Sequence, residues 1–559
     1  MKIEIRLYMI LLSAVIIIHA CSKKSSPDPV VILPTPLISK SATINNLFNA
    51  SSIFDINNSP VVKLAFSAPV NRASVNSNLS FKDKAGLLVA YSVGYEKSDS
   101  IIVIQPSSPL NYITKYNVNV STGLKSVEGG ALASAINVNF TTQIDSSRKF
   151  PIISDDALLT KVQQETFKYF WQLAHPVSGM ARERNTDANI YTSGGTGFGI
   201  MAIVIAIHRN FITRNEGLPR LQAMVAFLKN TAETFHGAYP HWLDGQTGKV
   251  IPFSPNDNGA DLVETSYLMQ GLLTARQYFT GADTAETGLR NDINTIVNRV
   301  DWNWFRKNNE NTLYWHWSSA NTNGWEMNMQ VKGWNECLIT YLLAASSTTH
   351  SVPKIVYDNG WASNGGMKNG NTYYGYQLPL GPDRGGPLFF AHYSFLGIDP
   401  NGLTDTYASY ATQTKNHTLI NYNYCKTNPK NYFGYSDSVW GLTASDIENG
   451  YNASSPTSDL SFIAPTAALS SFPYTPTESM QALKFFYYVL GDKIWKEYGF
   501  VDAFSLHNTW FADSFLAIDQ GPIIVMIENY RSGLLWNLFT SCPEVKTGMQ
   551  ALGFSAPYL

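Results

Sequence analysis

The sequence predicts two folds in one chain, a small β-sandwich followed by a large, mainly α domain built as an (α/α)6 toroid. Between residues 39 and 143 the apolar residues alternate with a period of two, which is typical of strands. From residue 155 to residue 559 they recur with the spacing of amphipathic helices. The length of 559 residues also exceeds that of one ordinary domain.

The segment 39–143 is predicted to form about seven short strands. Alternation is clear over Val62–Phe66, Tyr116–Val120 and Ile136–Phe140, and turn signals such as Glu128-Gly129-Gly130 separate such runs. The segment resembles bacterial immunoglobulin-like modules of exported proteins. It contains no cluster of catalytic residue types, so we interpret it as a spacer, with glycan binding as the alternative.

Twelve helices are predicted in the second domain. One of them places Leu289, Ile293, Ile296 and Val300 on a single face. Twelve helices joined by loops rich in Gly, Asn and aromatic residues suit six helical hairpins closed in a ring, although the ring closure is an inference from their number. The predicted helices span residues 155–174, 196–211, 218–235, 260–280, 284–300, 333–347, 387–396, 404–424, 464–471, 477–498, 520–539 and 543–553.

The first twenty residues have the features of an export signal. A short charged start precedes an apolar stretch too short to cross a membrane comfortably, and Ile18-His19-Ala20-Cys21 resembles a bacterial lipobox. We therefore expect residues 1–20 to be removed, Cys21 to be lipidated and residues 21–38 to be a flexible tether. The alternative is a membrane anchor helix. The expected location is outside the cytoplasm, at the outer membrane, with the lipid as the sole membrane attachment.

The composition excludes several classes of function. Lys and Arg number 40 against 42 Asp and Glu, which does not favour nucleic acid as a partner. Three cysteines remain beyond Cys21, and their spacing supports neither a disulfide framework nor a zinc site. Gly194–Gly199 lacks the dinucleotide spacing, and Asn256–Gly259 lacks the full pattern of a calcium loop. No metal or other cofactor is expected. Aromatic residues make up 13% of the chain, which is typical of surfaces that stack on sugars.

Carboxylates occur at four places where a predicted helix begins or in the loop before it. Asp261 and Glu264 share a helix face, although a capping box explains them too. Glu336 lies between Trp334 and an apolar run without basic residues, so burial could preserve its proton near neutral pH; a first-turn glutamate favoured by the helix dipole is the alternative.

Asp446 and Asp519 complete the four groups. Asp446 lies in a loop dense in aromatic residues, and Asp519 precedes a helix. The first could be a turn residue and the second a helix cap. In a toroid, such helix ends line one cavity, and a pair of carboxyl groups in an aromatic cleft is what the cleavage of a glycosidic bond requires.

Aromatic and histidine side chains near these acids are candidates for sugar contacts, although each of them is also a candidate for ordinary packing. The candidate platforms are Trp242, Trp325, Trp334, Tyr435 and Trp440. His241 and His392 are candidates for hydrogen bonds to sugar hydroxyls.

Seven segments, in order, resemble one known family. Among them are GADLVETSYLMQGLLTARQYF, VKGWNECLITYLLAASS, VWGLTASD and AIDQGPIIVMIENYRSGLLW. They resemble the glucoamylase-like domain of glycoside hydrolase family 144 over residues 155–559. The resemblance implies an (α/α)6 barrel that hydrolyses β-1,2-glucans, by endo action or by exo action that releases sophorose. The immunoglobulin-like segment lies outside this pattern.

The resemblance also suggests roles for individual residues. Glu336 is the expected general acid, whereas Asp261, Glu264, Asp446 and Asp519 are candidates for the base. Arg182 is expected to hold a glucose unit or to pair with an acid.

The function predicted from the sequence is an endo-β-1,2-glucanase that inverts configuration and acts as a monomer. An exo-acting β-glucosidase or sophorose-releasing hydrolase is the first alternative. A polysaccharide lyase and a non-catalytic glycan-binding lipoprotein are the others.

Overall fold

The computed structural model describes residues 33–49 and 52–559, which divide into two compact units. The first contains the described residues up to Asn111 together with Lys115–Thr142, and the second contains Tyr112–Thr114 with Gln143–Leu559. The predicted signal peptide, Cys21 and most of the tether lie outside the described residues. Within the described part of the chain, no helix is long and apolar enough to cross a membrane.

The first unit is a sandwich of two sheets, as predicted, with nine described strands instead of about seven. One sheet has the order β2-β1-β4-β7-β6 and the other β3-β9-β8-β5. Phe81 packs between Tyr116 and Phe140 in the core, where alternate residues of each strand are buried. The strands are β1 Ser39–Ile44, β2 Leu47–Phe48, β3 Ile53–Ile56, β4 Val62–Phe66, β5 Leu79–Asp83, β6 Tyr91–Glu96, β7 Ile101–Pro106, β8 Lys115–Val120 and β9 Ile136–Thr142.

The second unit is mainly helical. Its helices are α1 Asp155–Gln172, α2 Ser193–His208, α3 Arg214–Asn230, α4 Leu262–Tyr278, α5 Thr284–Arg299, α6 Leu338–Ser346, α7 Lys354–Val356, α8 Tyr410–Thr427, α9 Pro465–Leu469, α10 Pro476–Tyr488, α11 Gly491–Ile494, α12 Ala517–Ser532, α13 Leu534–Thr540 and α14 Pro543–Leu552. Short strand pairs connect them.

These short strands are β10 Tyr191–Thr192, β11 Trp242–Leu243, β12 Val250–Ile251, β13 Ala260–Asp261, β14 Leu313–Tyr314, β15 His316–Trp317, β16 Gln330–Val331, β17 Thr372–Tyr373, β18 Tyr376–Gln377, β19 Ala444–Ile447, β20 Gly450–Ala453, β21 Trp495–Lys496, β22 Gly499–Phe500, β23 Phe504–Ser505 and β24 Trp510–Phe511. They lie in the loops between helices, where they fix the loops that carry several site residues.

The helices form the predicted ring of hairpins. The inner ring contains α2, α4, α6, the segment 388–396, α9 and α12, and α12 packs against α2 to close it. Two hydrogen bonds join the segment 388–396 to the region just after α9: His392 Nε2 contacts Ser471 Oγ at 3.0 Å, and the Tyr474 hydroxyl donates to the Ala391 carbonyl at 2.8 Å. The helices α1, α3, α5, α8 and α10 and the segment 354–361 form the outer ring.

Three predicted helices differ from the observed ones in kind or in number. The predicted helix 477–498 is divided into α10 and α11, and residues 495–496 form β21. The segment 387–396 forms two 3₁₀ turns, Leu388–Ala391 and Ser394–Leu396, instead of an α-helix. The predicted helix 520–539 is divided into α12 and α13, because Gly533 adopts a left-handed conformation with φ 69° that ends α12.

The helix α2 is buried on every side, as expected for an inner helix. Its glycines allow α2 and α4 to approach closely, since a Cβ atom on Gly197 would lie 2.2 Å from the Tyr267 carbonyl oxygen. The glycine-rich segment 194–199 therefore serves helix packing. The close approach brings the first turns of α2, α4 and α12 together.

Candidate active site

The beginnings of the inner helices bring the predicted acids close to one another. The Gly194 N–H in the first turn of α2 donates to Glu264 Oε2 of α4 at 3.0 Å. A Cβ atom on Gly194 would lie 2.1 Å from that oxygen, so only glycine permits this contact. Next to it, Gly195 of α2 packs against Ala517, the first residue of α12. The site is therefore built from helix ends, as the toroid predicts.

We call one group of side chains the histidine–acid cluster: His241, Asp257, Asp261, Glu264, His316 and Glu336. Asp261 caps α4, because its Oδ1 accepts from the Val263 and Glu264 N–H groups at 3.0 and 2.9 Å. Its other oxygen, Oδ2, lies 3.2 Å from His241 Nδ1 and 3.8 Å from His316 Nε2. Asp261 thus caps the helix and holds two histidines at once.

Glu264 does not complete the capping box that the sequence suggested as an alternative. Its carboxylate turns away from Asp261 and accepts from Gly194 and, at 3.4 Å, from the Thr192 hydroxyl. His241 Nε2 lies 4.0 Å from Glu264 Oε1, so this imidazole stands between the two acids.

The charges in this cluster compensate one another. Burial lowers the pKa of His241, but the charges of Glu264 and Asp261 outweigh burial and raise this pKa to about 9. Burial also raises the pKa of Asp261, but the hydrogen bond to His241, the charges of His316 and His241 and the Glu264 N–H together outweigh it, so the net pKa is lowered. Burial raises the pKa of Glu264 to about 7. At neutral pH the cluster therefore contains a cationic His241 beside an ionised Asp261.

Glu336 lies just before α6 and is partly accessible to solvent. Its backbone carbonyl accepts a hydrogen bond from the Ser394 hydroxyl, which ties it to the inner segment 388–396. Burial, with a smaller contribution from the charges of Glu264 and Asp261, raises the pKa of Glu336 to about 7. A carboxyl group that holds its proton near neutral pH meets the requirement for a general acid.

We call a second group the arginine–acid cluster: Glu183, Arg184, Asp446, Asp502 and Asp519. Arg184 Nη1 contacts Asp446 Oδ2 at 3.1 Å, and its Nε donates to Glu183 at 2.8 Å. The Ser514 hydroxyl donates to Asp446 Oδ2 at 2.5 Å. Asp519 lies in the first turn of α12 and is 2% exposed, but Leu516 is the N-cap, so Asp519 is not the cap of α12.

Tyr393 lies near acids of both clusters. Burial raises its pKa, and the charges of Asp519, Glu264 and Glu336 all act on it. Its ring packs against Tyr267 at 5.6 Å and against Phe198 of α2 at 5.5 Å. Acids of both clusters are therefore within electrostatic range of one phenol in the inner ring.

Four of the predicted sugar contacts lie in the protein core. Trp334 and Trp440 are 4% and 0% exposed, and Trp334 packs against Trp361 and Phe395. Tyr435 and His392 are buried as well. Tyr435 donates to Asp459, and His392 contacts Ser471.

A stacking platform needs an accessible ring face, so these predictions are corrected. The position beside a loop does not distinguish a cleft residue from a core residue, and these aromatic rings pack between the inner and outer helices. Burial lowers the pKa of His392 to about 3, which leaves it neutral.

The other predicted contacts remain partly accessible. Trp242 lies beside His241, whose ring stacks on Phe253 with centroids 4.6 Å apart. Trp325 packs edge-on against Tyr314. The predicted Arg182 is partly buried, and the arginine that pairs with acids is Arg184, two residues further on.

Sequence reasoning missed several members of the site. In the sequence, Asp257 belongs only to the incomplete calcium-loop pattern. In the structure, its Oδ2 lies 3.4 Å from His316 Nε2. Asp502 carried no motif at all. Phe253 and Tyr451 are 50% and 47% exposed beside the two clusters. The sequence signal that could have identified them is an aromatic residue a few positions from acidic ones.

Three side chains could hold a metal ion. The nearest ligand atoms of His241, Asp257 and Asp261 lie within 4.8 Å of one another. A protonated His241 already supplies a positive charge to Asp261, so these side chains also form an ion-paired cluster without a metal ion.

Two family models match the chain. Residues 328–543 match the family described as "Putative glucoamylase", and residues 43–142 match the bacterial Ig-like domain. A curated relative, an exo beta-1,2-glucooligosaccharide sophorohydrolase (non-reducing end) of Parabacteroides distasonis, is 45% identical over 440 residues. That alignment covers 75% of this chain and 60% of the relative, so the chain spans less than two thirds of the relative's length.

Solved structures match over the full length of their chains or most of it. An endo-beta-1,2-glucanase from Chitinophaga pinensis, solved with sophorotriose and glucose, is 51% identical with a TM-score of 0.71, over 73% of this chain and all of that one. A beta-1,2-glucanase from Parabacteroides distasonis is 36% identical with a TM-score of 0.70, over 94% of this chain and 74% of that one. The chain therefore belongs to the glucoamylase-like family of the glycoside hydrolase 144 type, with a bacterial Ig-like domain ahead of the family's domain.

Proposed function

We propose that the protein is a glycoside hydrolase that cleaves β-1,2-glucan, with Glu336 as the general acid. The observation that carries the proposal is the position of Glu336, a partly accessible carboxyl group whose pKa is raised to about 7, at the meeting point of the inner helix ends. An acid of this pKa is protonated in a useful fraction of molecules at neutral pH and still donates readily.

Asp519 is the base in this proposal. Asp261 and Glu264 are occupied, because they accept from helix N–H groups and flank His241. Asp519 belongs to the other cluster, and its charge and that of Glu336 both act on Tyr393. The proposed inversion requires the two carboxyl groups to stand about 6.5–9.5 Å apart, so that a water molecule fits between the acid and the base.

The proposed reaction conserves atoms and protons. Glu336 gives its proton to the glycosidic oxygen as the bond to the anomeric carbon breaks. Water attacks that carbon from the opposite face and gives its proton to the Asp519 side, either directly or through a substrate hydroxyl. The exposed rings of Phe253 and Tyr451 flank the two clusters and offer surfaces on which glucose units can stack.

The preference for β-1,2 linkages comes from the relatives. Endo action is favoured, because the structure from Chitinophaga pinensis named as an endo-beta-1,2-glucanase is 51% identical and is covered completely. Exo action is the alternative, because the curated relative of 45% identity is named as a sophorohydrolase that acts from the non-reducing end.

Product sizes from linear β-1,2-glucan test the proposal and separate the alternatives. Endo action is expected to give a mixture of oligosaccharides from the first minutes, whereas exo action gives sophorose alone while the polymer remains long. Unsaturated ends from an acidic glycan would support a lyase, and glycan binding without new reducing ends would support a binding protein. Either result would overturn the proposal.

We further propose that the protein is exported and anchored through a lipid on Cys21, and that it acts as a monomer at the outer membrane. The support is the signal-like composition of residues 1–20 and the lipobox-like Ile18-His19-Ala20-Cys21. Mass spectrometry of the N-terminal peptide of the membrane fraction tests this, since an unmodified Cys21 would refute it.

A further inference from the structure

We propose that Asp502 is a positioning residue that shares one proton with Asp519, so that the two carboxyl groups act as a single base with one negative charge. This inference rests on the proposed role of Asp519. It assigns a function to a residue in which the sequence showed no motif.

The packing around Asp502 supports the pair. Asp502 and Asp519 are each 2% exposed, and their side chains are hydrogen-bond neighbours. Asp502 Oδ2 accepts from the Asp446 N–H at 2.6 Å. Among the described residues, the buried oxygens Asp502 Oδ1 and Asp519 Oδ2 have no donor. Two carboxylate oxygens cannot satisfy each other, but one proton between the two groups supplies the missing donor.

The charges of the cluster lead to the same result. Glu183, Asp446, Asp502 and Asp519 are four acids, and Arg184 is paired with the first two. If all four were ionised, two of the charges would be buried without a cationic partner, which is costly. Burial raises the pKa of Asp502 to about 7 and raises that of Asp519 well above its usual value. One retained proton leaves only one of these two charges.

Two phenols complete the surroundings. Tyr451 lies near Asp519 and Asp502, and Tyr393 lies near Asp519. Burial raises the pKa of Tyr393 well above 10, and partial burial of the half-exposed Tyr451 together with the charges of Asp519 and Asp502 raises its pKa in the same way. Both phenols therefore remain neutral and supply no charge to the pair. Arg184 is therefore the nearby cation that acts on Asp502.

The shared proton has a definite place in the reaction. The resting pair has one proton and one negative charge. When water attacks the anomeric carbon, Asp519 takes up its proton while the shared proton moves onto Asp502, so the pair becomes neutral. The pair returns that proton to solvent after the product leaves. Asp502 never touches the substrate, and its task is to hold Asp519 in place and to hold the shared proton.

The pH dependence of the unfolding equilibrium measures how many protons the folded pair retains. Asp502→Asn keeps the shape and offers an N–H donor to Asp519, but it removes the shared proton. In the wild type, the folded pair keeps a proton that two unfolded aspartates release near pH 4. The unfolding constant of the wild type relative to the variant is therefore expected to rise about tenfold per pH unit between about pH 5 and 7, which corresponds to one proton.

A flat ratio over this range would overturn the inference. Asp459→Asn is the matched control, because Asp459 is 1% exposed and accepts from the Tyr424 and Tyr435 hydroxyls instead of a second acid. Its ratio to the wild type is expected to stay flat. If Asp502→Asn does not fold, Asp519→Asn removes the same proton from the other side and is expected to give the same slope.

Kinetics on linear β-1,2-glucan separate this inference from the proposed function. Asp502→Asn is expected to lower kcat while KM is retained, since Asp502 acts through Asp519. Lack of hydrolysis by the wild type would refute the proposed function but would leave the proton count valid. Hydrolysis by the wild type with a flat stability ratio would refute only the shared proton.

Discussion

Glu336→Gln tests the acid through both catalysis and stability. Glutamine keeps the size of the side chain but cannot give a proton, so turnover on β-1,2-glucan is expected to fall by about 10²–10⁴-fold. The stability effect follows from the pKa, which is about 7 in the folded protein and 4.5 as the ordinary value. At about 1.4 kcal/mol per pH unit, this difference is about 3 kcal/mol.

The sign of the stability effect is fixed. The folded pKa is raised, so the folded protein holds a proton that the unfolded chain has lost, and the wild type loses stability as the pH rises from about 4.5 to 7. The glutamine variant lacks this loss. Because Glu336 is partly accessible, solvent screening makes about 3 kcal/mol an upper figure.

Urea unfolding at several pH values, together with initial rates on linear glucan, measures both effects. Relative to the wild type, the variant is expected to gain stability between pH 4 and pH 8. Parallel stability curves combined with unchanged turnover would refute the assignment of Glu336 as the general acid.

Three further predictions concern the surroundings of the acids, and a fourth concerns Cys21. Gly194→Ala places a Cβ atom 2.1 Å from Glu264 Oε2, so urea unfolding is expected to show a loss of about 1–3 kcal/mol, and an unchanged midpoint would contradict the close contact. His241→Asn removes the cation beside Asp261. Because the pKa of His241 is raised to about 9, the wild type is expected to lose stability as the pH rises from 6.5 through 9, and the variant is expected to lack this loss. The same decline in the variant would exclude His241 as its cause. Treatment with EDTA is expected to leave the hydrolysis rate unchanged, since His241 supplies the charge, and a loss restored by a divalent cation would assign a metal to this cluster. Cys21→Ser is expected to move the protein from the membrane fraction to the soluble fraction, as seen by immunoblotting, and retention in the membrane would contradict lipid anchoring.

The sequence was informative wherever the signal is local. The helical spacing located the inner helices, and the acids Asp261, Glu336 and Asp519 stand at or near helix beginnings as expected. These signals lie within a few residues of the chain, where periodicity and capping patterns act.

Partners from distant parts of the chain could not be predicted. Glu264 is held by Gly194, which lies 70 residues away, and Asp446 accepts from Ser514, 68 residues away. Asp502 belongs to the site because β22 and the loop after it pass beside α12, which no local pattern indicates. The buried position of Trp334 could not be predicted either, because a tryptophan beside a loop has the same sequence pattern whether it lines a cavity or fills the core.

Time-resolved NMR of the reducing end released from linear β-1,2-glucan tests directly whether the protein hydrolyses this glucan with inversion. Reducing ends in the α configuration are expected to appear first and then to equilibrate, because water enters opposite the departing oxygen. Products that first appear in the β configuration, or a polymer that stays intact in the presence of the wild-type protein, would contradict this prediction.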